Sequence, residues 1–189
     1  MNVLCPKNLV YGNMWTKDFR NTYFGGEMRG CNSRKIENYQ KQMMYEGTGI
    51  KLEDSNHRIN ILKNEFVEKT NPMVLDDGYD YTENFDVLQR FGNKRVFINL
   101  KNVVGRGGSQ TRTLRDECYA FVKAQINLVN ENKVSDTYFI NVFDGDESHR
   151  NMKKFEYILK TQGNEMSSKY IYVGNLKDYF DTMIFLTKL

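Results

Sequence analysis

Asp86-Val87-Leu88-Gln89-Arg90-Phe91-Gly92-Asn93-Lys94-Arg95-Val96-Phe97-Ile98-Asn99-Leu100-Lys101 is the stretch from which the fold is read. Two runs of β-forming residues flank Gly92-Asn93, a dipeptide suited to a two-residue hairpin turn. A loop of that length sets Asp86 opposite Asn99 and Asn84 opposite Lys101. Asn99 and Lys101 are two residues apart and share a face, while Ile98 and Leu100 take the other. One face of the hairpin then gathers Asp86, Asn99 and Lys101, with Asn84 beside them. Upstream, Tyr79–Leu88 alternates, with Tyr79, Tyr81, Glu83, Phe85 and Val87 on one side. If that alternation runs unbroken, Glu83 faces away from Asp86.

On either side of the hairpin the pattern turns helical. Arg34–Tyr45 reads as a helix with Ser33 as its cap. Asn56–Lys69 reads as a second, because Ile59, Leu62 and Phe66 recur at helical spacing and Asn71-Pro72 closes the run. Thr113–Asn130 carries the longest apolar stripe, and Thr113 with Asp116 fits a capping box. Thr137–Phe143 is almost wholly apolar, as expected of a strand buried on both faces. Ser148 is the expected cap of a helix bearing Met152, Phe155, Ile158 and Leu159. Tyr170–Val173 reads as a short strand and Asp178–Leu189 as a terminal helix. The expected fold class is α/β, a mixed central sheet flanked by helices.

A chain of 189 residues suits one domain. Residues 1–55 read as an N-terminal extension, 56–176 as the core and 177–189 as a closing helix. Hydrophobic residues at 40% and charged residues at 27% exclude a disordered tail, a coiled coil and a collagen-like fibre. Lys and Arg number 27 against 24 Asp and Glu, a net charge of +3, which permits a nucleic-acid partner without demanding one. Cys5, Cys31 and Cys118 form no C-x-x-C pair, and His57 and His149 stand alone, so neither a disulfide framework nor a zinc site is expected. No apolar run is long enough for a membrane span and the N-terminus has no signal-peptide core, so the expected setting is a reducing cell interior without membrane contact: bacterial cytoplasm, or a host cell if the protein is viral.

Asp86 and Asn99 offer the hard oxygen ligands that Mg²⁺ prefers, and the Leu100 carbonyl can add a third. A Lys at position 101 can orient water and stabilise charge on a phosphate. Periodicity alone favours a solvated hairpin face with no chemistry. Gly105-Arg106-Gly107-Gly108 lacks the G-K-[ST] ending of a P-loop, although a nucleotide-using enzyme built on it is one rival reading. Arg106, Gln110, Arg112 and Arg115 gather at a helix start, where free N–H groups favour phosphate and where Arg and Gln can read base edges. Asp144-Gly145-Asp146 reads as a turn rather than a second metal site.

Asp86 with Asn99-Leu100-Lys101, followed by a Gly-rich loop and an amphipathic helix, resembles the PD-(D/E)XK nuclease superfamily. The segment from Tyr79 through Gln110-Thr111-Arg112-Thr113-Leu114-Arg115 resembles type II restriction endonucleases within it. The resemblance covers roughly Asn56 to Leu176. It implies a restriction-endonuclease-like core that cleaves double-stranded DNA with Mg²⁺, and a homodimer matched to palindromic sites. It assigns metal binding to Asp86 and the catalytic lysine to Lys101. Asn99 stands where most members have Asp or Glu. That departure weakens the expected metal site and leaves room for an inactive DNA-binding or viral structural homologue. Glu65, on the expected Asn56–Lys69 helix, is the candidate for the missing carboxylate.

Overall fold

The computed structural model describes residues 32–68, 82–103 and 112–188. Helix α1 (Asn32–Thr48) is followed by strands β1 (His57–Asn60), β2 (Glu65–Glu68), β3 (Thr82–Asn84), β4 (Val87–Phe91) and β5 (Lys94–Asn102). A π-helical turn (Thr113–Cys118) runs into α2 (Tyr119–Asn130). Strand β6 (Thr137–Asp144), helices α3 (Asp146–Gln162) and α4 (Glu165–Tyr170), strand β7 (Ile171–Gly174) and helix α5 (Leu176–Lys188) complete the order. The main sheet has order β4-β5-β6-β7, with β4 antiparallel to β5 and the β5-β6 and β6-β7 pairs parallel. A smaller antiparallel sheet has order β2-β1-β3. Among the described residues, no helix is long and apolar enough to cross a membrane.

The β4-β5 hairpin has the register expected of a two-residue loop: Val87 pairs with Ile98 and Phe91 with Lys94. Gly92, the first loop residue, has φ +59°, the conformation a type II′ turn asks of glycine at that position. The outer edge of β4 is sealed by Glu53, which exchanges two 2.8 Å backbone hydrogen bonds with Leu88.

Alternation along β5 and β6 divides the core. Val96, Ile98 and Leu100, with Tyr138, Ile140 and Val142, face α1 and α5. Phe97, Phe139 and Phe143 face the π-turn, α2 and α3. The sheet is therefore covered by helices on both faces, and β6 is buried along its whole length. Phe85, between β3 and β4, anchors the second layer: its ring stacks on Phe139 at 5.3 Å and 10°. Burying such a ring contributes about 1.5–3 kcal/mol.

The helix expected over Asn56–Lys69 does not form; this segment is the β1-β2 hairpin. Ile59 and Phe66, seven residues apart, are direct cross-strand partners, so a pairing distance across a turn imitates helical spacing. Leu62, the middle member of the apparent stripe, is 70% exposed at the hairpin tip. Asparagines build that tip: Asn60 Oδ1 accepts the Lys63 N–H at 3.0 Å, and Asn64 takes φ +52°.

Three expected caps are also replaced. Helix α1 already runs from Asn32, so Ser33 lies inside it and not at its cap. Arg112 is already helical, at φ −62° and ψ −44°, so the turn does not start behind a Thr113 cap, and Asp116 pairs with Arg115. Helix α3 begins at Asp146 rather than behind Ser148, which is fully buried with its hydroxyl unpaired. Gly145 makes that start possible at φ +100°, where a Cβ would lie 2.4 Å from the Val103 carbonyl oxygen. That oxygen accepts the N–H groups of Glu147 and Ser148 at 3.0 and 3.3 Å.

Candidate active site

Beyond Val87 the chain leaves the edge of β5, and Asp86 sits at the point of departure. Its N–H donates to the Ile98 carbonyl at 2.9 Å. Its Oδ2 accepts the Leu100 N–H at 2.6 Å, so the carboxylate takes the place of a backbone partner on the sheet edge. Leu100, expected to offer its carbonyl to a metal, thus meets Asp86 through its amide. Asn84 does not face Lys101; it pairs with Arg58 in the smaller sheet.

This change of sheet reverses the expectation for Glu83. Continuous alternation would turn it away, but the bend at Phe85-Asp86 brings it into the electrostatic neighbourhood of Lys101, Asp86 and Glu117. Phe85 holds the bend from three sides. Its ring lies in the aromatic layer, its N–H donates to the His57 carbonyl at 3.2 Å, and its carbonyl accepts the Ser55 hydroxyl. Glu117 comes from the π-turn, a helical irregularity that often marks functional segments.

The charges at this edge depend on one another. Burial pushes Glu83 above the ordinary carboxylate range; Lys101 opposes that, and Glu117 and Asp86 add to it. Burial likewise raises Asp86, against the pull of the Leu100 N–H and Lys101. Burial alone would lower Lys101, but Asp86 first, then Cys118, Glu83 and Glu117, outweigh it together and set the ammonium above its usual value. Cys118 lies next to this group, but burial pushes its thiol up to about 12, so at neutral pH it is an uncharged wall. On the α1 side Glu37 and Lys41, themselves paired at 2.6 Å, also act on Asp86. Lys101 is thus a half-buried ammonium within electrostatic reach of Asp86, Glu83 and Glu117.

Asn99 takes no part in this edge. It is 1% exposed and donates from Nδ2 to Asn141 Oδ1 at 3.4 Å. Asn141 and Gln125 exchange two amide hydrogen bonds of 2.7 and 3.0 Å, and Asn141 also reaches the Tyr172 carbonyl at 3.2 Å. The position expected to supply a metal ligand is one member of a buried amide network between β5, β6 and α2. Glu65 is exposed on β2 and pairs across to Asn60, so it is neither helical nor among the groups acting on Glu83, Asp86 or Lys101.

Arg112 and Arg115 are exposed at the start of the π-turn. Arg115 grips Asp116 through Nε at 2.8 Å and a second nitrogen at 3.1 Å, and Arg112 reaches it at 4.0 Å. Arg106, Gln110 and the Gly105–Gly108 loop lie outside the described residues, as do Cys5, Cys31 and Tyr79–Tyr81. Glu83 and Glu117 were missed by sequence reading. Nothing in their local pattern marks them, because a change of sheet and a helical irregularity place them.

Asp144, at the end of β6, is bound as a structural group. Its Oδ2 accepts Gln40 Nε2 at 2.6 Å and its Oδ1 accepts the Leu176 N–H at 3.0 Å. Burial lifts its carboxyl up to about 7, against those two hydrogen bonds. The Asp144-Gly145-Asp146 segment forms a turn into α3, as expected.

Among the described residues, no three His, Cys, Asp or Glu side chains stand together as a ready ligand set. Compared with known proteins, the chain matches no family model, no curated protein and no solved structure.

Proposed function

We propose that the chain is a Mg²⁺-dependent endonuclease with a restriction-endonuclease-like core, hydrolysing phosphodiester bonds of duplex DNA in the manner of type II restriction enzymes. The observation that carries this reading is the sheet edge where Asp86 and Glu83 converge electrostatically on Lys101. The donor chemistry suits Mg²⁺, which commonly takes one or two carboxylates and keeps its waters. Asp86, whose second oxygen makes no hydrogen bond among the described residues, and Glu83 would hold it. When bound, the ion would supply Lewis-acid activation of water and phosphate.

The chain's own residues do the rest. The Leu100 N–H fixes the Asp86 carboxylate in one orientation. Lys101, kept protonated by its anionic neighbours, neutralises charge that develops on the phosphate and positions an attacking water. Arg112 and Arg115 present guanidinium groups whose hold on Asp116 is exposed, so DNA phosphate can compete for them. Arg106 and Gln110 join them by sequence position. Palindromic cutting would require a two-fold dimer working on DNA in the cell interior.

The test is plasmid cleavage in Mg²⁺ by the wild type and by the Asp86→Ala, Glu83→Gln and Lys101→Ala variants. Loss in all three, with DNA binding intact, supports the assignment. Wild-type activity in the Asp86 and Lys101 variants would sink it. A second reading, a DNA-binding or viral structural protein without nuclease activity, is favoured by one observation. The position where the superfamily carries a carboxylate is Asn99, and its amide is built into the core. DNA retention without nicking by the wild type would select that reading.

A further inference from the structure

At the opposite edge of the main sheet, two strands away from Asp86, β7 pairs with only half of β6, from Phe139 to Val142. The notch left beyond Ile171 opens into a groove of about 590 Å³ between α4 and α5. That volume lies within the range of small-molecule sites. Tyr138 and Tyr170 stand 4.9 Å apart at the notch, and Tyr172 and Phe185 form further wall. Phe185 is 58% exposed, a large apolar ring left on the surface of α5.

The charged groups lining this groove are predominantly of one sign. Glu165, Asp178 and Asp181 line it against the single cation Lys169. Asp178 is partly engaged, accepting the Asn175 N–H at 2.9 Å. Among the described residues, neither Asp181 nor Glu165 has a Lys or Arg within ion-pair distance. Lys169 shows how an ammonium sits there: its Nζ lies 5.3 Å from the centre of the Tyr170 ring. A cation finds both carboxylates and electron-rich ring faces, and an apolar body finds Tyr and Phe surface. An anion finds Lys169 alone, outnumbered by three carboxylates.

We propose that this groove is a binding site for a small organic ammonium, its apolar part against Tyr138, Tyr172 and Phe185 and its charge met by Asp181 and Glu165. The site is independent of the nuclease reading, since it shares no residue with the Asp86 edge and its charge repels a DNA backbone.

The test uses the full chain and three probes of one shape: phenethylammonium, 3-phenylpropionate and 3-phenylpropan-1-ol. Tyrosine side-chain resonances are followed by NMR during titration. The ammonium is expected to shift Tyr138, Tyr170 and Tyr172 saturably, with the other two probes weaker by about tenfold, the worth of one charge contact of modest strength. Asp181→Asn and Phe185→Ala, both on the exposed side of α5, are each expected to weaken the ammonium by about fivefold. Equal binding of the carboxylate or alcohol would overturn the proposal. So would the absence of any saturable shift, or an Asp181→Asn affinity equal to that of the wild type with its helical spectrum unchanged.

Discussion

Asp86 and Asp144 are two carboxylates at strand ends, both served by α1, and they have opposite fates. Asp86 lies at the open edge of β5 with Lys101 on one side and the Glu37–Lys41 pair of α1 on the other. Asp144 lies inside, bound by Gln40 of α1 and by the first N–H of α5, with no cation among the groups acting on it. Both are raised by burial, but only Asp86 has a cation to oppose that. A carboxylate with a cation nearby and an oxygen that makes no hydrogen bond among the described residues is left free to bind, as the proposed nuclease reading requires. One that spends both oxygens on neutral donors tethers two helices to a strand. The neighbours decide the role, and the residue type does not.

The same substitution at the two positions should therefore separate them most strongly. Asp86→Asn keeps an oxygen for the Leu100 N–H, so the fold should survive while, on the proposed nuclease reading, Mg²⁺-dependent cleavage falls by roughly 10²–10³-fold, the loss typical of one electrostatic group at a reacting centre. Asp144→Asn should keep cleavage within about threefold, because the new amide can still accept from Leu176 and meet Gln40 after its amide turns over. Cleavage rates and thermal melts of both variants check this. Comparable loss of cleavage in Asp144→Asn, with the melt unchanged, would erase the distinction.

The next effect is on stability against pH. Asp144 is raised in the folded chain, up to about 7, from an unfolded value near 4. Folded protein therefore keeps a proton that unfolded protein releases between about pH 4 and 7. The stabilisation is fully present below the unfolded value and is lost as pH rises through the folded one. Its size across that window is on the order of a few kcal/mol. Other groups titrate as well, so the measurement is the difference between wild type and Asp144→Asn in urea midpoints at pH 4.5 and 7.5. The wild type should lose ground relative to the variant as pH rises. A constant difference would show that Asp144 is ionised throughout.

How much of this was legible from residues follows from the range of each signal. The β4-β5 register needs only Gly92-Asn93 and two adjacent runs, so local turn chemistry settled it. The buried strand expected over Thr137–Phe143 was equally plain, since a run without charge and almost wholly apolar belongs inside; in the structure it extends to Asp144. Ile59 and Phe66 misled because seven residues is both two helical turns and a short hairpin's cross-strand pair; Asn60 and Asn64 were the discriminating turn formers. Glu83 was misread for a related reason. Alternation predicts a face only while the chain stays in one sheet, and the bend at Phe85 depends on aromatic partners from β5, β6 and α2 that lie far along the chain. Asn99 shared its expected face with Lys101, but alternation does not say where that face passes from solvent to core.

That last point gives a smaller, sharper test. Asn99→Asp introduces the carboxylate that the proposed nuclease reading would expect at this position, and an edge-facing position would gain metal affinity from it. In this fold the new carboxylate would enter the amide network beside Asn141 Oδ1, losing a donor and bringing a charge to a position 1% exposed. The expected outcome is destabilisation of about 1–3 kcal/mol with no gain in cleavage or Mg²⁺ affinity. Urea melts and plasmid nicking at low Mg²⁺ read both. Enhanced nicking would mean that position 99 reaches the edge after all.

The smallest expected effect belongs to Glu65. It is exposed on β2, with Asn60 opposite, and acts on none of the charged groups at the Asp86 edge. Glu65→Gln should change stability by less than about 0.5 kcal/mol. Its cleavage and Mg²⁺ dependence should match the wild type, whereas Glu83→Gln weakens both. Measuring the two glutamines side by side tests whether the bend at Phe85 assigns the second carboxylate. A loss confined to Glu65→Gln would put that carboxylate on β2, and the edge formed by Asp86, Glu83 and Lys101 would no longer account for metal binding.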